Sequence, residues 1–327
     1  MTETIGTREL IVLDTGEETV RGTYHKAFDK TGPGSNLTEL NRVGVLFLNS
    51  LSPTRAAPGD SAVFWADCFA KCGYPTFRVD SPGFGDSDGD PPPACLNFIS
   101  KGGHASVATA IVGQLIARFK LPGMVIVGLC AGAVSAIYTA AATPECKGLV
   151  LMDPYFHLPP AIGSGGRPVM RQRLNNRISR SAIGRLVRGK GGRLTTFRVF
   201  FSRDTLPSNA NVLLLDCLRG AASAGLPILI FNAHTQQKPL QFDYLGYILG
   251  LAGSKSKVLV KTVEGTGHSF SNPTGRATVR QHSESWLNAW FPLKKCGKDD
   301  EKMLRSQFTS ETVSCTPQAR LPLHSKG

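Results

Sequence analysis

Residues 127–133 read VGLCAGA, and the fold turns on how that stretch is understood. The residues before it, GMVIVGL, have the continuous apolar character of a buried strand, and AGAVSAIYTAAA after it has that of a buried helix. A strand that enters a sharp turn and leaves as a helix forces the corner residue, Cys130, into strained dihedrals. Small neighbours are needed because the turn passes close to adjacent backbone. Gly128, Cys130 and Gly132 meet the pattern Gly-x-nucleophile-x-Gly in the strand–turn–helix setting that gives it meaning. A side chain at such a corner projects from the carboxyl edge of a sheet, where a helix N-terminus favours negative charge on a thiol or a developing oxyanion. The same small residues would also suit a buried structural cysteine, so the chemistry has to be sought in the rest of the chain.

Working outward, RVGVLFLNS (42–50) is an apolar run ending in polar residues, as expected of a strand covered on both faces. A helix is predicted from Asp60 to Cys72, a strand over 74–80, then the Gly-rich turn SPGFGDSDGD. Ala105–Phe119 has helical periodicity, 124–129 reads as a strand, 132–142 as a helix and 147–153 as a strand. Further on come the helix NVLLLDCLRGAASAG, a strand at 227–233, the helix FDYLGYILGLAG, a strand at 257–265 and an amphipathic helix from Thr274 to Trp290. ELIVLDTGEETVRGTYHKA near the start alternates as an antiparallel hairpin does. Strands alternating with helices predict an α/β fold, a mostly parallel sheet with helices on both faces. The expected organisation is a core over 1–155, a basic cap or lid insertion over 156–210, the second part of the core over 211–292 and a mobile tail over 293–327.

Composition narrows the class. The chain has 327 residues, 41% hydrophobic and 8% aromatic, as a globular protein does. No apolar run approaches the roughly 20 residues that a bilayer span needs. MTETIGTREL has no apolar h-region, and eight scattered cysteines look like free thiols, so a cytoplasmic protein is expected. Cys68 and Cys72 lack paired zinc-site spacing, and neither a metal nor an organic cofactor is expected. The net charge of +13 is concentrated. Between Arg167 and Arg203 lie Arg171, Arg173, Arg177, Arg180, Arg185, Arg188, Lys190, Arg193 and Arg198, with no Asp or Glu among them. Such a block attracts anions, whether a phosphate-bearing carrier or an anionic membrane surface; it is equally what a solvated insertion would show. No nucleic-acid-binding motif appears, so nucleic acid is not an expected partner.

A base should follow the last strand. His268, in VEGTGHSFSNP, lies between the strand ending near Gly265 and the helix beginning near Thr274, on a glycine-flanked loop at the sheet's carboxyl edge. At this point the chain resembles the α/β-hydrolase superfamily from about Val43 to Phe291, interrupted by the basic insertion. The supporting stretches are VDSPGFGDSDGD (Asp80, Gly83, Gly85, Ser87), the elbow GLCAGA and GTGHSFSNP. Within that superfamily it is most similar to the serine-aminopeptidase-like and exosortase-associated hydrolases. The resemblance implies a nucleophile at Cys130, a base at His268, and an oxyanion hole from the N–H of Ala131 with a second donor near Ser50 or Leu51.

The acid departs from the pattern. Members usually carry Asp after the strand represented by PILIFNA, but the loop there reads HTQQKPLQFD and the matching position is Gln236. Asp153, at the end of GLVLMD, occupies the other strand end from which some members draw their acid. Gln236 could instead orient the imidazole as a neutral amide, or activity has been lost. Asp86 and Asp88 are expected to cap or bond backbone, and Phe156, Val169, Met170 and Leu174 are candidates for an acyl pocket. The function expected is hydrolysis or transfer of an acyl group from an ester or thioester through a Cys130 acyl-enzyme, the donor carried on coenzyme A or an acyl carrier protein. The alternative is a non-catalytic scaffold that kept the fold and lost its acid.

Overall fold

The computed structural model of the chain describes residues 7–28, 42–48, 51–159, 206–233, 243–252 and 256–293. Among the described residues eight strands form one sheet. In chain order they are β1 (Arg8–Asp14), β2 (Thr19–His25), β3 (Gly44–Leu48), β4 (Thr76–Val79), β5 (Met124–Leu129), β6 (Cys146–Met152), β7 (Pro227–Ala233) and β8 (Lys257–Val263). Their spatial order is β1-β2-β4-β3-β5-β6-β7-β8. The β1–β2 hairpin is antiparallel and β2 joins β4 antiparallel; every later pairing is parallel. The strand order reverses at β3, so β4 lies on one side of it and β5 on the other. In open sheets of this kind, sites form at the carboxyl ends beside that reversal.

Seven α-helices accompany the described strands, six between strands and the last after β8: α1 (Ser61–Lys71), α2 (Cys95–Ser100), α3 (Ala105–Phe119), α4 (Ala131–Ala142), α5 (Val212–Ser223), α6 (Tyr244–Ala252) and α7 (Pro273–Trp290). The period-two alternation of the central strands sorts their side chains into two layers. Leu46, Leu48, Ile126, Leu149, Leu151, Ile228 and Ile230 face α3, α4, α5 and α6. Val45, Phe47, Val125, Val127, Val150, Leu229 and Phe231 face α1 and α7, where Trp65, Phe69 and Trp286 are all but inaccessible. Because both faces are covered, β3 and β5 are buried along their whole length. Helix α4 is buried on nearly every side, which explains why its sequence is apolar and small all round rather than amphipathic.

Short α2 is the element that periodicity does not reveal. It follows three prolines, runs for six residues and has no side-chain N-cap, since Ala94 stands at that position with φ 51°. The ends of the insertion meet beside it: His157 bridges Ala210, Leu158 N–H donates to the Asn209 carbonyl (2.7 Å) and Asn211 N–H to that of Phe156 (2.8 Å). The Arg-rich stretch 167–203 and the segment from 294 onward lie outside the described residues. Among the described residues no helix is long and apolar enough to cross a membrane.

Phe77 locks the hairpin to the parallel sheet. It is fully buried on β4, its ring stacked at 5.0 Å on Tyr24 of β2 and tilted at 4.8 Å against Phe119 of α3. Replacing Phe77 by Ala is expected to cost about 3–5 kcal/mol, read in urea unfolding as a lower midpoint at unchanged slope.

Candidate active site

Cys130 stands between β5 and α4 with φ 54° and ψ −113°, a conformation that L-residues rarely adopt. Its own N–H donates to the Met152 carbonyl (2.8 Å), and its carbonyl accepts from Ala133 N–H (3.0 Å) and Val134 N–H (3.2 Å), the first bonds of α4. The turn is tight enough to dictate its neighbours. A Cβ on Gly128 would lie 2.3 Å from the backbone carbon and oxygen of Gly132. That contact is the physical content of the Gly-x-Cys-x-Gly spacing. The thiol is partly exposed and meets both apolar layers, so it sits at the sheet rim rather than sealed within one core.

Asp153 leaves β6, the strand next to β5, with φ 45°. Its N–H is held by the Phe231 carbonyl (2.7 Å), and its side chain is 8% exposed. That carboxylate bonds Nδ1 of His268. The imidazole is carried on the loop between β8 and α7. Asn272 braces this loop by donating to the Gly265 carbonyl (2.7 Å) and accepting from Gly275 N–H (2.7 Å). Phe270, fully buried at φ 51°, anchors it from below.

The electrostatics follow from those contacts. His268 is pushed up to about 10, first by its hydrogen bond to Asp153, then by the Cys130 side chain; burial opposes both. The imidazole is half exposed, at 53% of its side chain, so solvent tempers the energetic weight of the shift. The sign is clear: the imidazolium is the form the site favours, and its contribution to stability is complete below 6.5 and lost as the pH rises through about 10. Elsewhere burial raises Cys146 and Cys217 to about 12, so those thiols are inert.

Of the residues singled out from sequence, Cys130, His268 and Asp153 come together. Ala131 is the first residue of α4, where backbone N–H groups have no intrahelical acceptor, and Leu51 opens the described part of the loop after β3. Ser50 and Gln236 lie outside the described residues, as do Val169, Met170 and Leu174. Phe156 is a core residue, 5% exposed against Tyr244, rather than a pocket wall. Asp86 and Asp88 do not serve mainly as backbone caps: their carboxylates pair with Arg55 (2.7 Å) and Arg21 (2.5 Å), because strands bring those guanidinium groups to the turn. One residue near the thiol went unread in the sequence. Tyr155, two positions after Asp153, is half-buried, within 3.3 Å of the Ser100 hydroxyl, and raised by burial, which its bond to Ser100 opposes and the nearby Cys130 adds to slightly. Its signal was only its closeness to Asp153 in DPYF. Among the described residues no cluster of His, Cys, Asp or Glu could hold a metal ion.

The family model that matches residues 45–280 is that of the alpha/beta hydrolase family. The chain belongs to the alpha/beta hydrolase family. Among solved structures it is similar to an esterase from Pyrococcus furiosus, with 11% identity, a TM-score of 0.57 and coverage of 87% of this chain and 92% of that one. An esterase domain from a Rhodothermus marinus protein aligns at 14% identity and a TM-score of 0.53 over 87% and 99% of the two chains. At such identities the likeness is one of fold. None of the curated proteins matches this alpha/beta hydrolase in sequence.

The His268 imidazole supplies a direct check. Its NMR resonances are expected to remain those of the imidazolium through neutral pH and to titrate near 10, and in Asp153→Asn the midpoint should fall toward 6.5.

Proposed function

We propose that this alpha/beta hydrolase cleaves or transfers an acyl group from an ester or thioester, with Cys130 as nucleophile, His268 as acid and base, and Asp153 as the group that orients the imidazole. The observation that carries this is the imidazole itself, bound at Nδ1 by the Asp153 carboxylate and raised to about 10 by that contact and by the Cys130 side chain. A histidine held protonated is ill-suited to take a proton from a serine hydroxyl, but it suits a thiolate, which needs no base before it attacks.

The steps then balance. The Cys130 sulfur adds to the acyl carbon, a C–S bond forms, and the carbonyl electron pair moves onto oxygen. Ala131 N–H, at the positive end of α4, faces the place where that charge is expected. The oxyanion collapses, the C–O or C–S bond to the leaving group breaks, and His268 gives its proton to the departing atom. In the second half neutral His268 takes a proton from water or an acceptor hydroxyl as it attacks the thioester. The thiol group leaves as thiolate and the imidazolium is restored.

Asp153 supports catalysis over the scaffold alternative. A lost acid was the ground for that alternative, and the contact of Asp153 with His268 supplies a carboxylate without any contribution from Gln236. Within the family we assign the chain to the serine-aminopeptidase-like and exosortase-associated type on the three stretches around Asp80, Cys130 and His268. Six free cysteines among the described residues suit the reducing cytoplasm to which we assign it. The Arg-rich stretch favours an acidic acyl donor, such as one carried on coenzyme A or an acyl carrier protein.

Intact mass spectrometry tests the chemistry. Incubation with activated esters and acyl thioesters is expected to add one acyl mass to the wild type and none to Cys130→Ala, and His268→Ala should turn over at least about 100-fold more slowly. Cys130→Ser should fall by a similar factor, since the protonated imidazole cannot activate a hydroxyl; a serine variant as active as the wild type would remove the thiolate from the mechanism. The anionic preference is checked by salt. Raising ionic strength should weaken apparent affinity for an acidic donor and leave a neutral ester unaffected.

A further inference from the structure

Arg55 lies on the loop after β3, the loop from which a second oxyanion donor is expected, and it is bonded to four other residues. Its Nε donates to the Thr23 hydroxyl (2.9 Å), and one Nη1 bonds the carboxylates of Asp80 and Asp86 (2.7 Å for Asp86). Its backbone carbonyl accepts from Nη1 of Arg78 (3.0 Å). Its stem lines a small apolar cavity with Leu129 and Met152, the residues immediately before Cys130 and Asp153. The Arg55 side chain is 13% exposed and Asp80 fully buried, so this is an interior ion pair rather than a surface one. Gly85 makes room for it, since a Cβ there would fall 2.3 Å from the Asp80 carboxylate.

The arrangement continues below the loop. Arg78 Nε donates to Nε2 of His25 (2.9 Å), so that nitrogen carries no proton and Nδ1–H donates to Asp67 (2.7 Å). Burial, then the Arg78 charge, holds His25 down to about 4, which keeps it in that neutral tautomer. Asp67 is fixed in turn by Arg8 Nε (3.0 Å). A chain of charge-assisted bonds therefore runs from the outer hairpin, through β2 and β4, to the loop beside the elbow.

We propose that Arg55 is a positioning residue that clamps the segment from Leu51 to Ala57 to β4 and the Asp80–Asp86 turn, so that the Leu51 end of the loop completes the oxyanion site facing Ala131. The proposal rests on the acyl-enzyme chemistry above. Ordinary anchoring of a loop would lower every reaction of the site together. Positioning of an oxyanion donor affects only reactions that pass through a tetrahedral oxyanion.

Two reagents on one thiol separate these. Iodoacetamide alkylates Cys130 by displacement at a methylene carbon, with no oxyanion, whereas p-nitrophenyl acetate acylates it through one. Both rates are measured by mass spectrometry on the full chain for wild type, Arg55→Met and Arg55→Met/Asp80→Asn. The double variant removes both charges of the buried pair and so leaves neither uncompensated. Alkylation is expected to stay within about twofold of wild type while acylation falls about tenfold or more. A ratio of acylation to alkylation equal to that of wild type in the variants, whether both rates hold or both fall, overturns the assignment to Arg55. A wild type that is alkylated but never acylated overturns the acyl-enzyme chemistry itself, and the role of Arg55 with it.

Discussion

The carboxylate of Asp153 against Nδ1 of His268 fixes which nitrogen of the imidazole faces Cys130, and the rest of the rim is arranged around that contact. Parallel strands deliver their carboxyl ends to the same edge of a sheet, about 4.8 Å apart for neighbours. Cys130 follows β5 and Asp153 follows β6, so the two residues emerge side by side, and the Cys130 N–H to Met152 carbonyl bond registers one turn against the other. The histidine arrives from β8, two strands beyond β6, on a loop whose glycines and Asn272 bonds let it fold back over the edge.

Holding that geometry requires backbone that the chain would not otherwise choose. Cys130, Asp153 and Phe270 all have positive φ, and all three lie on loops at the carboxyl edge. Such conformations persist only where packing over-determines them. Here α4 is sealed into the core on nearly every side, Phe270 is fully buried, and the Asp153 amide is tied to β7. The interior holds the rim in its strained form.

Polar contacts tie the other side of the rim to the nucleophile helix. The Ser100 carbonyl, at the end of α2, accepts from the Tyr138 hydroxyl of α4 (2.9 Å) and from Asn211 Nδ2 (2.6 Å), while Asn211 also caps α5. Asn211 is where the insertion rejoins the core, beside Phe156 where it departs. A movement at the base of the insertion would thus be felt by α4 and by Tyr155, both beside Cys130.

By itself the sequence determined the α/β class, most elements to within a residue or two, and the places of Cys130 and His268. Those follow from local chemistry: period-two and period-3.6 patterns report burial, and glycine spacing reports the tight elbow. It did not reveal α2, too short and uncapped to leave a period, nor the partners of Asp86 and Asp88, whose guanidinium groups lie more than thirty residues away in the chain. It left Asp153 and Gln236 as rival orienters of the imidazole. Only the tertiary structure brought Asp153 to His268, across 115 residues of chain, because contact between them depends on strand order and on a positive φ that no local pattern encodes.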